Sequence, residues 1–129
     1  MDVALHFYRD LLGFEVRKRM DESGSYLDNM LGLRNAKVTT CKIAAPDGVL
    51  VELLQFHSHA PGNRTLPSPC NIGPTHIALT VANLDEVFQK LTSAGVPFNA
   101  PPQLSPDGYA KVTFCKDPDG SLIELVEVL

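Results

Sequence analysis

Apolar residues return every three or four positions at the start of the chain. Ala4, Leu5, Tyr8, Leu11 and Leu12 share one side of a helical wheel, so residues 2–12 are predicted to form a helix that Gly13 closes. The period then shortens. Residues 14–20 read as a strand of mixed polarity and residues 37–44 as an alternating strand. The stretch between them is expected to be a loop with a helical turn at residues 26–31. Pro46-Asp47-Gly48 has turn chemistry, and residues 49–56 follow as a mostly apolar strand. Residues 57–74 carry Pro61, Pro67, Pro69 and Pro74 with Gly62 and Gly73, the composition of a linker. Residues 75–81 form a strand with His76, Ala78 and Thr80 on one face and Ile77, Leu79 and Val81 on the other. Asn83, with Glu86 three residues on, is the expected start of a helix whose apolar side is Leu84, Val87, Phe88 and Leu91 and whose end is Gly95. A short strand start at 96–98, a proline-containing loop at 100–108, a strand at 109–115, a turn at 117–120 and a strand at 121–129 complete the chain.

One phrase occurs twice. Pro46-Asp47-Gly48-Val49-Leu50-Val51-Glu52-Leu53 returns as Pro118-Asp119-Gly120-Ser121-Leu122-Ile123-Glu124-Leu125. Each copy is a turn, then an apolar strand, with a glutamate four residues after the glycine. Two similar modules are therefore expected: residues 1–57, a linker at 58–74, and residues 75–129. The second reads strand–helix–strand–strand–strand. The first reads helix–strand–strand–strand and lacks the opening strand. Aligning the two helices sets Met1 against Leu84 and Asp2 against Asp85, which puts the counterpart of strand 75–81 before residue 1. The missing strand would leave a sheet edge open to another chain.

Composition narrows the function classes. The chain's 129 residues suit one domain or two half-size modules, and its 44% apolar and 20% charged residues are ordinary for a globular protein. The net charge of −4 is scattered, with no basic patch, which argues against nucleic acid as a partner. No apolar run approaches the ~20 residues that span a bilayer, and no signal peptide precedes the first helix. Cys41, Cys70 and Cys115 are odd in number with no C-x-x-C spacing, so they read as reduced thiols, and a cytoplasmic location is expected.

Glu52 and Glu124 carry the first chemical signal. A carboxylate within an apolar run either faces solvent or needs a partner or a metal. Its repetition after a matched turn favours function. His76, at the head of a strand with a small, polar face, is either a hydrogen-bonded edge histidine or a ligand, and the two glutamates favour the ligand reading. His57 and His59 form a weak H-x-H in the linker, and His6 is read as a solvated helix residue. Tyr109 and Phe114 are read either as pocket walls or as core. No glycine-rich phosphate loop and no G-x-S-x-G elbow is found.

Asp2-Val3-Ala4-Leu5-His6-Phe7-Tyr8-Arg9-Asp10-Leu11-Leu12-Gly13-Phe14 resembles the helix-into-strand signature of the vicinal oxygen chelate superfamily, which holds glyoxalase I, bleomycin-resistance proteins, extradiol dioxygenases and methylmalonyl-CoA epimerase. Thr75-His76-Ile77-Ala78-Leu79, together with Asp117-Pro118-Asp119-Gly120 and Glu124-Leu125, resembles the second module of that family. The resemblance implies an α+β fold: two βαβββ modules curling into a half-barrel sheet with helices outside, around a divalent metal. Carried over by position, Glu52, His76 and Glu124 would be metal ligands, and the fourth would come from the missing opening strand. Glu124 would double as the base. The resemblance further implies Zn²⁺ or Ni²⁺, with Mn²⁺, Co²⁺ or Fe as alternatives, a small oxygenated carbonyl substrate, lyase or isomerase chemistry through an enediolate, and a homodimer. Other readings remain open. They are a metal-free, antibiotic-sequestering binding module, an extradiol dioxygenase, against which Glu52 argues, and a thioester epimerase, for which Arg17, Lys18 and Arg19 are the nearest basic group.

Overall fold

The structure is a computed structural model that describes residues 1–62 and 68–129; residues 63–67, in the middle of the expected linker and including Pro67, lie outside the described residues. It has the expected α+β composition. The chain divides into two compact units, Met1–Arg64 and Thr65–Leu129. Among the described residues there are three helices and two sheets, neither sheet is a closed barrel, and no helix is long and apolar enough to cross a membrane.

The first unit opens with helix α1 (Asp2–Leu5), which runs on as a wider π-helical stretch, His6–Leu11. The Leu12 N–H reaches the Phe7 carbonyl at 3.1 Å, one residue further than in an α-helix. This extra width buries two consecutive residues, Phe7 and Tyr8, where the 3.6-residue period anticipated only Tyr8. Tyr8 meets Phe7 and Phe14 edge to face, with ring centres 5.0 and 5.7 Å apart. Gly13 then takes φ +79°, which a side chain would make costly.

Strands β1 (Glu15–Ser23), β2 (Lys37–Ala44) and β3 (Leu50–Phe56) form an antiparallel sheet in the order β1-β2-β3. The first strand outruns its expected end at residue 20. Its last residues are polar but pair across the ladder: Asp21 lies against Thr39 and Glu22 against Val38, and the Thr39 hydroxyl donates to the facing Asp21 carboxylate at 2.6 Å while the Thr40 hydroxyl donates diagonally to Glu22 at 2.8 Å. Helix α2 (Ser25–Leu31) seats Leu27 on Ala36 and Val38. Its Asp28 carboxylate accepts the backbone N–H of Asn35 and Ala36 at 2.9 and 2.8 Å, fastening the helix to the start of β2.

The second unit contains β4 (His76–Thr80), α3 (Leu84–Ser93), β5 (Gln103–Leu104), β6 (Ala110–Lys116) and β7 (Leu122–Val128), with sheet order β4-β7-β6-β5. This is the βαβββ order expected, but the strand start expected at 96–98 is not its third element: only Phe98 makes an isolated bridge there, and β5 falls within the stretch expected to be a loop. β4 runs parallel to β7 and the other pairs are antiparallel. Asn83 caps α3 by accepting the Glu86 N–H at 3.2 Å. The helix is held against one sheet face by the Leu84 N–H donating to the Glu127 carboxylate at 2.8 Å and by Lys111 bridging to Asp85 at 2.6 Å. Leu84, Leu91, Cys115, Ile123 and Leu125 are buried there. The proline-containing loop holds a short strand that the sequence did not signal. Gln103 and Leu104 pair with Val112 and Lys111, and Phe98 bridges to Cys115.

The repeated phrase folds the same way twice. Gly48 N–H bonds to Ala45 and Gly120 N–H to Asp117, each at 2.8 Å, with φ +89° and +77° at the two glycines. Each turn delivers its glutamate to the same point of the following strand.

Candidate functional site

Alternation along the second sheet sorts its side chains by face. The face opposite α3 carries His76, Ala78 and Thr80 from β4, Val112 and Phe114 from β6, and Glu124 and Val126 from β7. Ala78 stands opposite Glu124 in the parallel ladder, and its single methyl group leaves room for the His76 ring to lean across. His76 Nε2 lies 3.3 Å from Glu124 Oε2, with the two side chains 34% and 23% exposed. Thr75 Oγ1 holds the other ring nitrogen, Nδ1, at 2.9 Å. Phe114 meets the imidazole edge to face with centres 5.3 Å apart. Three contacts thus fix the ring, and the residue pair that the sequence singled out comes together at the open face.

Glu52 belongs to the first unit. It lies on β3 opposite Lys42 of β2, whose Nζ is 3.7 Å from Oε1, and its side chain is 43% exposed. An exposed pair of this kind contributes at most ~1 kcal/mol. The alternation that exposes Glu52 also exposes Leu50, Leu54 and Phe56 on the same face. Among the described residues no three His, Cys, Asp or Glu side chains are grouped to hold a metal ion.

The weaker candidates fall elsewhere. His6 is exposed and pairs with Asp10 at 3.1 Å; Arg9 and then His6 bond the Asp10 carboxyl and hold it at about 2, so it stays ionised in any ordinary buffer. Tyr109 is 72% exposed, while Phe114 packs on His76. His59 accepts or donates to Ser58 Oγ at 2.7 Å, and His57 lies 2.8 Å from Thr39. Sequence reasoning missed Thr75, Lys42 and Thr39. Strand pairing is what brings Lys42 and Thr39 to their partners, whereas Thr75 was findable as the hydroxyl residue next to His76.

The cysteines divide by burial. Burial pushes the Cys115 thiol up to about 12 and Cys41 is fully enclosed, whereas Cys70 is exposed. Iodoacetamide at pH 8 on the native protein is expected to label Cys70 alone, and mass spectrometry of the digested product checks this. Labelling of Cys115 at a comparable rate would contradict its burial.

An α+β chain whose second unit is a helix-backed βαβββ sheet, with a histidine on its first strand and a glutamate on its last, has the architecture of a glyoxalase-fold protein. The profile of the Glyoxalase/Bleomycin resistance protein/Dioxygenase superfamily matches residues 1–125, and the chain belongs to this superfamily. A glyoxalase family protein from Bacillus cereus has a similar structure, with 23% identity and a TM-score of 0.88 over 100% of this chain and 87% of that one. A superfamily member from Sphaerobacter thermophilus is 30% identical, with a TM-score of 0.56 over 98% of this chain and 86% of that one. The trypanothione-dependent glyoxalase I of Leishmania major is 22% identical, with a TM-score of 0.64 over 98% and 78%. No curated protein sequence matches the chain.

Proposed function

We propose that this chain is a glyoxalase-like, metal-dependent enzyme acting on a small oxygenated carbonyl compound, with Glu52, His76 and Glu124 as metal ligands and Glu124 also as the base. The observation that carries the reading is the His76–Glu124 pair on the open sheet face. Its donors suit a divalent ion. A neutral imidazole nitrogen and a carboxylate oxygen are the mixed set that Zn²⁺, Ni²⁺, Mn²⁺, Co²⁺ and Fe accept. Two ligands each ~2.1 Å from one tetrahedral ion stand ~3.4 Å apart, close to the separation of this pair. When bound, the metal supplies Lewis-acid polarisation of the substrate carbonyl.

The chain's own residues do the rest. Glu124 takes the proton from the carbon next to the carbonyl and returns it to the neighbouring carbon. Thr75 and Phe114 hold the His76 ring in position. Phe114, Val112 and Val126 form an apolar wall beside the carboxylate, which keeps water from competing for the proton. A homodimer in the cytoplasm is part of the same proposal.

A second reading, a metal-free module that binds small molecules, draws support from the Lys42–Glu52 contact, which gives that carboxylate a protein cation as its partner. Elemental analysis after dialysis against Zn²⁺ or Ni²⁺ separates the two. The enzyme reading expects near one metal per chain, falling at least tenfold in His76→Ala. Protein that retains no metal from either ion would replace it with the second reading.

A further inference from the structure

The turn chemistry of the repeated phrase occurs a third time. Besides Pro46-Asp47-Gly48 and Pro118-Asp119-Gly120, the loop between β5 and β6 carries Pro106-Asp107-Gly108. All three copies fold alike. Each glycine donates its N–H three residues back, Gly48 to Ala45, Gly108 to Ser105 and Gly120 to Asp117, at 2.8, 2.9 and 2.8 Å. Their φ angles are +89°, +79° and +77°, and all three aspartates are exposed.

The copies differ in what holds the aspartate carboxyl. Asp107 Oδ1 accepts the Ser105 hydroxyl at 2.5 Å and the Tyr109 N–H at 3.1 Å, and these bonds, the Ser105 one foremost, hold its carboxyl below the usual range. Asp47 Oδ1 accepts one bond, from the Val49 N–H at 3.0 Å. At the third turn the corresponding N–H, that of Ser121, goes to Asp117 Oδ1 at 2.6 Å instead. The Asp119 carboxyl has no hydrogen bond or ion pair among the described residues.

An Asp–Gly step carries its own reaction. The glycine nitrogen attacks the aspartate side-chain carboxyl carbon. An N–C bond forms, and the amide hydrogen leaves with the carboxyl oxygen as water, which closes a five-membered imide. Water then adds to one imide carbonyl and the C–N bond there breaks. Opening at the main-chain carbonyl leaves the chain linked through Cβ, as isoaspartate. The sum is an isomerisation, with nothing oxidised or reduced. Glycine allows the approach because it has no side chain. The carboxyl must be protonated and able to turn toward the nitrogen, so donors that bond it protect it twice: they keep it ionised and fix its orientation. We infer that Asp119 is the site of spontaneous isoaspartate formation in the folded protein, ahead of Asp47 and Asp107. The change adds one main-chain atom to the turn just before Leu122, the buried first residue of β7, and so to the turn that delivers Glu124.

The test is to age the intact folded protein in weakly acidic buffer, digest it, and count isoaspartate at each step by mass spectrometry with electron-transfer fragmentation. Isoaspartate is expected to accumulate at Asp119 at least fivefold faster than at Asp47, and slowest at Asp107. The same chain aged in urea should lose the preference, because all three steps read Pro-Asp-Gly. Ser105→Ala removes the hydroxyl on Asp107 but keeps the backbone carbonyl that closes its turn, and should raise the Asp107 rate at least threefold. A rate at Asp47 or Asp107 equal to that at Asp119, the same preference in the urea-unfolded chain, or an unchanged Asp107 rate in a folded Ser105→Ala would each overturn the inference.

Discussion

Glu124→Gln is expected to reduce turnover by ~10²–10⁴-fold, the range that a positioned acid–base group supplies. The substitution keeps the side chain's size and one oxygen, and removes its ability to take a proton. It changes nothing in the core, because Glu124 faces away from α3 and lies beside Ala78 and Phe114. The melting temperature should therefore stay within a few degrees, while kcat on a hemithioacetal of methylglyoxal and a thiol collapses. Measuring both on one preparation separates chemistry from folding. A variant that retained full kcat would remove Glu124 from the proton-transfer role and leave it, at most, as a ligand.

Leu91→Ala has the largest expected effect on stability. Leu91 is 0% exposed on the inner side of α3, where Leu84, Ile123 and Leu125 are equally enclosed. Truncating such a residue removes buried methyl groups and leaves a void, at a cost of ~2–5 kcal/mol. Each kcal/mol moves the midpoint of a small domain by ~4–8 °C, so a fall of more than ~10 °C is expected. Leu104→Ala is the control: Leu104 is 60% exposed on the short strand β5, and its loss should stay within ~0.5 kcal/mol. Thermal melts followed by circular dichroism would show the contrast. A Leu91→Ala shift no larger than that of Leu104→Ala would mean that α3 does not seal the second unit.

The second unit was the more legible in sequence. Its helix announced itself through Asn83, Glu86 and a clean apolar side, and the turn before its last strand matched the turn in the middle of the chain. Those signals are local: each depends on residues within a few positions of one another. The errors arose where distant residues decide. The end of β1 lies three residues beyond its expected place because Thr39 and Thr40, on another strand, take up the Asp21 and Glu22 carboxylates. The π-helical turn at His6–Leu11 escaped a search for a 3.6-residue period because its winding is wider. Strand β5 exists through its pairing with β6, and two residues carry no period at all.

The site shows the same division. His76 and Glu124 were found as residue types at matched positions, and alternation put both on one face. The repeat that pointed to Glu52 is silent on its surroundings. That Lys42 faces it follows from the β2–β3 register, which a single strand does not encode.

The parallel pairing of β4 with β7 has a consequence for how the site comes and goes. These are the first and last strands of the unit, so the imidazole and the carboxylate meet only after the whole intervening chain has been laid down and the final ladder has closed. In the reverse direction, peeling the edge strand β4 from β7 parts the pair while α3, β6, β7 and the core residues Leu84, Leu91, Ile123 and Leu125 stay together. Activity should therefore vanish on heating before helical signal does, and the pair is an early sensor of local opening in its own unit.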